Sequence, residues 1–135
     1  MTDVSNWLRK LIGETGAIAG TVHRLRGDSL ELDAAVNIPE KVQAITKTIP
    51  KGKGMAGLAW ERVKPVQTCN LKDDNTGDVR PGAKAVDAAA AVALPLTDAN
   101  GSVWAVVGVA FKETRELPES EIDRLRQLAS TLPME

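Results

Sequence analysis

Three sets of residues in this chain have the types and spacing that do chemistry. Gly52-Lys53-Gly54-Met55-Ala56-Gly57 fits the G-x-G-x-x-G pattern of loops that offer backbone N–H groups to a pyrophosphate. Cys69 and His23 are the single cysteine and the single histidine of the 135 residues, so one thiol and one imidazole are available as nucleophile, base or ligand. Asp73 and Asp74 open a polar run, Asp73-Asp74-Asn75-Thr76-Gly77-Asp78, whose carboxylates suit the mouth of a binding pocket.

Each set has a plain structural alternative. A dinucleotide loop needs a buried strand before its first glycine and a parallel strand after its helix. Here Thr46-Lys47-Thr48-Ile49-Pro50-Lys51 precedes the glycines and is not a buried hydrophobic strand. No Gly-Lys-Ser/Thr follows at phosphate-loop spacing either. The glycines are therefore expected to permit tight backbone geometry at the entry to a helix packed closely on a sheet. One cysteine excludes an intramolecular disulfide and a cysteine-built zinc site, and one histidine argues against a histidine-built one, so no metal is expected. Cys69 reads as a small buried hydrophobe and His23 as a structural strand residue. Ser102 and the threonines have no histidine near them in sequence, and no catalytic residues are expected.

The elements that must position these residues are legible in the periodicity. Val4, Trp7, Leu8, Leu11 and Ile12 mark one face of a helix behind Asp3 as N-cap, ending in the Gly13 to Gly16 stretch. Ala17 to Leu25 and Leu30 to Ile38 flank the Arg26-Gly27-Asp28 turn as an antiparallel hairpin. Pro39 to Lys51 is a connection holding either a helical turn or a short strand. Met55 to Arg62 reads as a short helix, Pro65 to Cys69 as a strand and Asn70 to Lys84 as a long polar loop. Ala88 to Leu96 and Ser102 to Phe111 form a second hairpin around Thr97 to Gly101, apolar on both faces, so both sides of that part of the sheet should be covered. Pro118 opens a last helix with Glu119 and Glu121 in its first turn and Ile122, Leu125, Leu128, Ala129 and Leu132 on its buried side.

Composition bounds the partners. A net charge of −1, with 43% hydrophobic and 26% charged residues, describes one neutral globular domain spanning residues 1–135 and gives no cause to expect nucleic acid. No apolar run approaches the roughly 20 residues needed to cross a bilayer, so no membrane partner is expected and a cytoplasmic location is the default.

"IPKGKGMAGLAWERVKPVQTCNL", followed by "AAAAVALPLTDANGSVWAVVGVAFKETRELPESEIDRLRQLA", resembles a GAF domain. The shared features are the glycine-rich turn into a helix, the strand entered through a proline, a variable loop, the strand ending in Leu-Pro-Leu, the Gly-Val-x-x-Phe type of strand and the terminal helix with an acidic first turn. The resemblance implies an α+β fold, a central antiparallel sheet of five to six strands with the N- and C-terminal helices on one face. A small-molecule pocket is implied on the other.

Within that family the chain is most similar to stand-alone free methionine-(R)-sulfoxide reductases, which attack and resolve through cysteines. The matching positions hold Ala56 and Val86, and Ala89 to Val92 is wholly apolar where those enzymes carry an acid. Bilin-binding relatives pair cysteine with histidine, whereas Cys69 is followed by Asn70. Cyclic-nucleotide relatives carry an Asn-Lys, Phe, Asp-Glu signature; Asn70, Lys72, Asp73 and Asp74 echo it without the phenylalanine.

The resulting expectation is a non-catalytic sensor or regulatory domain for a small organic ligand of unknown identity, with no cofactor assigned. Its ligand-binding residues are expected to be Trp60, Cys69, Asp73, Asp74, Ala89, Ala91, Ala93 and Val107. The alanines either leave volume for that ligand or let a helix approach closely. The resemblance further implies a homodimer through the terminal helices, with Leu8 or Leu128 as contact candidates. The alternative is an interaction and dimerisation module whose pocket is filled by its own side chains, and a reductase-like enzyme comes third.

Overall fold

The computed structural model describes residues 3–68, 90–113 and 117–133. Its elements run α1 (Val4–Thr15), β1 (Ala19–Arg26), β2 (Ser29–Val36), α2 (Glu40–Thr46), β3 (Thr48–Pro50), α3 (Gly54–Arg62), β4 (Val66–Thr68), β5 (Ala90–Thr97), β6 (Val103–Phe111) and α4 (Glu119–Ala129). Six strands form one sheet in the order β3-β2-β1-β6-β5-β4. Every neighbouring pair is antiparallel. This is the α+β architecture that the resemblance implies.

Local chemistry sets the helix ends. Asp3 Oδ1 accepts from the Ser5 and Asn6 backbone N–H groups, and Gly16 closes α1 in the left-handed region at φ 77. Burial on α1 falls on Leu8, Leu11 and Ile12, which meet the face of the sheet shared with α4. There Val22, Val92, Leu94, Val107 and Val109 pack beneath Leu125 and Ala129. Leu8 is fully buried in this core and offers nothing to a partner chain, whereas Leu128 is half-buried. Gly20 explains how closely α1 sits: a Cβ there would lie 3.0 Å from Leu8 Cδ1 and 3.2 Å from Ile12 Cδ1.

The second face of the sheet is roofed by α2 and α3. Because β3 and β4 lie on opposite edges, the chain between them must cross this face, and α3 does so, touching β3, β4, β5 and β6. The Pro39 to Lys51 stretch holds both a helix and a strand, α2 and β3. The glycines of the opening motif serve the crossing. Gly52 and Gly54 adopt φ of 81 and 65, and the Gly52 N–H donates to the Gly57 carbonyl at 3.0 Å. A Cβ on Gly57 would stand 2.6 Å from the Pro50 carbonyl oxygen, so only hydrogen fits between α3 and β3. The motif follows a three-residue antiparallel edge strand and spends the Gly52 N–H internally. That is the geometry of a tight helix entry.

Candidate functional site

Between the second face of the sheet and the α2–α3 roof lies a cavity of about 140 Å3. Its floor is made of small residues: Ala91 and Ala93 on β5, Gly108 and Ala110 on β6, and Thr21 on β1. Side-chain alternation assigns them. Ala91 pairs with Ala110 and Ala93 with Gly108 across β5 and β6, so residues with at most a methyl group occupy adjacent positions of one face. Val42, Ile49, Met55 and Ala56 supply walls and roof. None of the described lining residues is charged, and the surface is almost wholly apolar.

One imidazole borders this surface. His23 is 2% exposed and lines the cavity from β1. Its Nε2 lies 2.9 Å from the Thr46 carbonyl oxygen at the end of α2. A carbonyl only accepts, so Nε2 carries the proton and Nδ1 is left with a bare lone pair. No hydrogen-bond partner meets Nδ1 among the described residues. Burial pushes the His23 pKa below its ordinary value; the hydrogen bond to Thr46, which favours the charged ring, offsets only part of that. The imidazole is therefore neutral and its free nitrogen is an acceptor.

The lowered pKa carries a stability consequence. In the unfolded chain His23 titrates near its ordinary value of about 6.5, in the folded chain lower, so between the two the unfolded state binds more protons. Stability contributed by the neutral ring is present above pH ~6.5 and falls as the pH drops below it, by at most about 1.4 kcal/mol per pH unit. Urea melts at a series of pH values from 8 to 5 should show the decline, and His23→Phe should flatten it. An equal decline in the variant would assign the effect to other groups.

The structure brings together only part of the expected ligand set. Ala91 and Ala93 line the cavity. Val107 faces the other way: it is fully buried with Val22 and Leu94 against the terminal helices, because its neighbour Gly108 takes the cavity side. Trp60 stands outside the lining, packed with Ile49 and Ala59, with Lys51 Nζ 5.5 Å from its ring centroid. Cys69, Asp73, Asp74 and Ala89 lie outside the described residues. His23, expected to be a structural strand residue, ties β1 to the end of α2 through Thr46 and also borders the cavity. Its signal was available in Ala19, Thr21 and His23, which share one face of β1 by their spacing of two.

Among the described residues no helix is long and apolar enough to cross a membrane. No curated protein sequence matches the chain. Solved structures do. The type II free methionine-R-sulfoxide reductase from Thermoplasma acidophilum is similar with a TM-score of 0.73 and 14% identity, covering 93% of this chain and 84% of that one. A GAF domain from A. aeolicus in an inactive state gives 0.65 and 18%, covering 93% and 75%. The GAF domain of an Acinetobacter phosphoenolpyruvate-protein phosphotransferase gives 0.66 and 14%, covering 96% and 90%. At these identities the likenesses speak for the fold. The family model described as GAF domain matches residues 2–132, nearly the whole length, and on that match the chain belongs to the GAF domain family.

Proposed function

We propose that this chain is a non-catalytic regulatory module that admits a small organic molecule to the cavity between the sheet and the α2–α3 roof, and that it works as a homodimer. The observation that carries the reading is the cavity itself, open and floored by alanine and glycine. That open volume favours a sensor over a module with a self-filled pocket.

The route from ligand to response runs through β1. Thr21 and His23 line the cavity on one face of the strand, while Gly20 and Val22 meet α1 and the helical core on the other. With Leu8 and Ile12 in tight contact over Gly20, a displacement of β1 by a bound molecule is transmitted to α1 instead of being absorbed. Sulfoxide reduction, the activity named for the Thermoplasma acidophilum structure, is disfavoured for this chain. One cysteine cannot form an intramolecular disulfide, and the described lining holds no charge to meet a zwitterion.

Native mass spectrometry of the purified protein, followed by thermal melts against small metabolites, tests the proposal. A co-purified mass, or a stabilisation that saturates with concentration, supports it. A dimer that carries no small molecule and ignores every compound returns the weight to an interaction module.

A further inference from the structure

Resting on the cavity reading above, we infer that the site takes an uncharged, largely apolar molecule of about phenol's size whose one polar group, a hydroxyl or a carbonyl, hydrogen-bonds the Thr21 hydroxyl on the cavity floor. The volume of about 140 Å3 is close to that of apolar cavities of roughly 150 Å3 that hold a benzene ring. The described walls hold no charged side chain, so an ionised ligand entering the cavity would shed its hydration without compensation. The described lining residues with polar side chains are Thr21, His23 and Thr46, and the last two are spent. Thr46 Oγ1 is engaged with the Val42 carbonyl at 2.9 Å, His23 Nε2 with the Thr46 carbonyl, and His23 Nδ1 is closed off from any probe of the surface.

Thr21 is the open one. Its hydroxyl makes no hydrogen bond among the described residues, and the only unpartnered side-chain polar atom there that lacks accessible surface is His23 Nδ1, so the half-buried threonine oxygen is accessible. β1 is an interior strand between β2 and β6, and Thr21 stands on the face that lines the cavity, so its oxygen is reached from the cavity. Register makes the opening. Thr21 pairs with Gly108, and a Cβ on that glycine would lie 2.9 Å from Thr21 Oγ1. Any side chain at position 108 would press on the hydroxyl that glycine leaves uncovered. A hydroxyl both donates and accepts, so an alcohol, a phenol or a ketone can meet it, whereas a hydrocarbon covers it and leaves it unsatisfied. The bond also fastens the ligand to β1, one residue from the Gly20 against which Leu8 and Ile12 pack.

Phenol, toluene and pivalate have the same number of non-hydrogen atoms and differ in offering a hydroxyl, no polar group and a full charge. Their dissociation constants, measured by calorimetry at neutral pH with the full chain and with Thr21→Val, are the test. Valine keeps the branched shape of threonine and suits a strand, and comparing two probes across one substitution cancels their different hydration in water. Phenol losing roughly 2- to 12-fold more affinity than toluene in the variant is the expected result. Thr21→Ser, which keeps the hydroxyl, should show no such difference between the two probes. An equal change for both in Thr21→Val, or toluene binding where phenol does not, overturns the role of the hydroxyl and leaves the cavity reading standing. Pivalate binding more tightly than phenol overturns the preference for an uncharged molecule, with the cavity again intact. Binding of none of the three up to the solubility limit overturns this inference and the cavity reading together.

Discussion

Ala91→Leu is expected to weaken ligand uptake while raising the stability of the empty protein. Ala91 is half-buried on the cavity side of β5, opposite Ala110, and three additional carbons there enter the open volume instead of a packed wall. Apolar burial contributes about 0.8 kcal/mol per CH2, and with some strain from the new rotamer a gain of roughly 0.5–2 kcal/mol is expected. The same carbons take the space of a guest, so affinity should fall by roughly 5- to 150-fold, since forcing both into one site costs about 1–3 kcal/mol. Calorimetric melting and titration with the ligand identified for the parent read the two effects separately. Unchanged affinity would place the binding site elsewhere, and a lower melting temperature would mean that the space around Ala91 is already filled. Val107→Ala is the matching control. It removes methyl groups from the terminal-helix core on the opposite face, and so should lower stability without touching the cavity lining.

The contrast between Ala91 and Val107 also shows how far the sequence is readable. Hairpins, terminal helices and the glycine-rich helix entry follow from periodicity and turn chemistry. The run from Ala88 to Leu96 and that from Val103 to Phe111 are apolar at every position, and alternation cannot say which residue faces which way when both faces are covered. The register supplies that answer, placing Val107 against Leu94 and Val22 and Gly108 against Ala93 and Thr21. α2 and β3 are hard to separate in the sequence for a similar reason. Their only buried side chains are Val42 and Ile49, and α2 has no side-chain cap, so neither period nor boundary is written into the residues. His23 depends on a contact across 23 positions, with a backbone carbonyl that carries no sequence signal at all.

Removing Asp33 is expected to be the costliest change in the polar groups at the terminal-helix end of β1. Arg24 immediately follows His23 and therefore points to the opposite face, where its side chain is 10% exposed. Its Nε donates to Asp33 Oδ2 at 2.7 Å, its Nη2 to the Pro133 carbonyl beyond α4 at 3.1 Å, and its guanidinium carbon lies 5.4 Å from the Trp104 ring centroid. Arg26 Nη2 donates to the other carboxylate oxygen at 3.2 Å. One side chain thus ties β1, β2, β6 and the end of the C-terminal helix together. Burial pushes the Asp33 carboxyl up, but the hydrogen bonds and charges of Arg24 and Arg26 outweigh it and hold the pKa below the usual carboxylate value. Its stabilisation is accordingly complete above pH ~3.9 and is lost only as the pH falls through the lowered value, well clear of the His23 window.

Asp33→Ala leaves a mostly buried guanidinium without its carboxylate. Breaking a fully buried pair costs about 3–5 kcal/mol; because the Asp33 side chain is 25% exposed, water recovers part of this, and a loss of about 1–3 kcal/mol is expected in urea denaturation. Combining it with Arg24→Met should restore much of the loss, since an apolar chain of similar length does not need the acceptor. A cost below about 0.5 kcal/mol for Asp33→Ala would identify the pair as solvent-screened. Neither substitution touches the cavity lining, so the increment that a saturating ligand adds to stability should persist in both variants even as the baseline drops. If that increment vanished with Arg24→Met, the ligand's stabilisation would depend on the tie between β1 and the end of α4. The opposed side chains of His23 and Arg24 would then be the two ends of the signalling step.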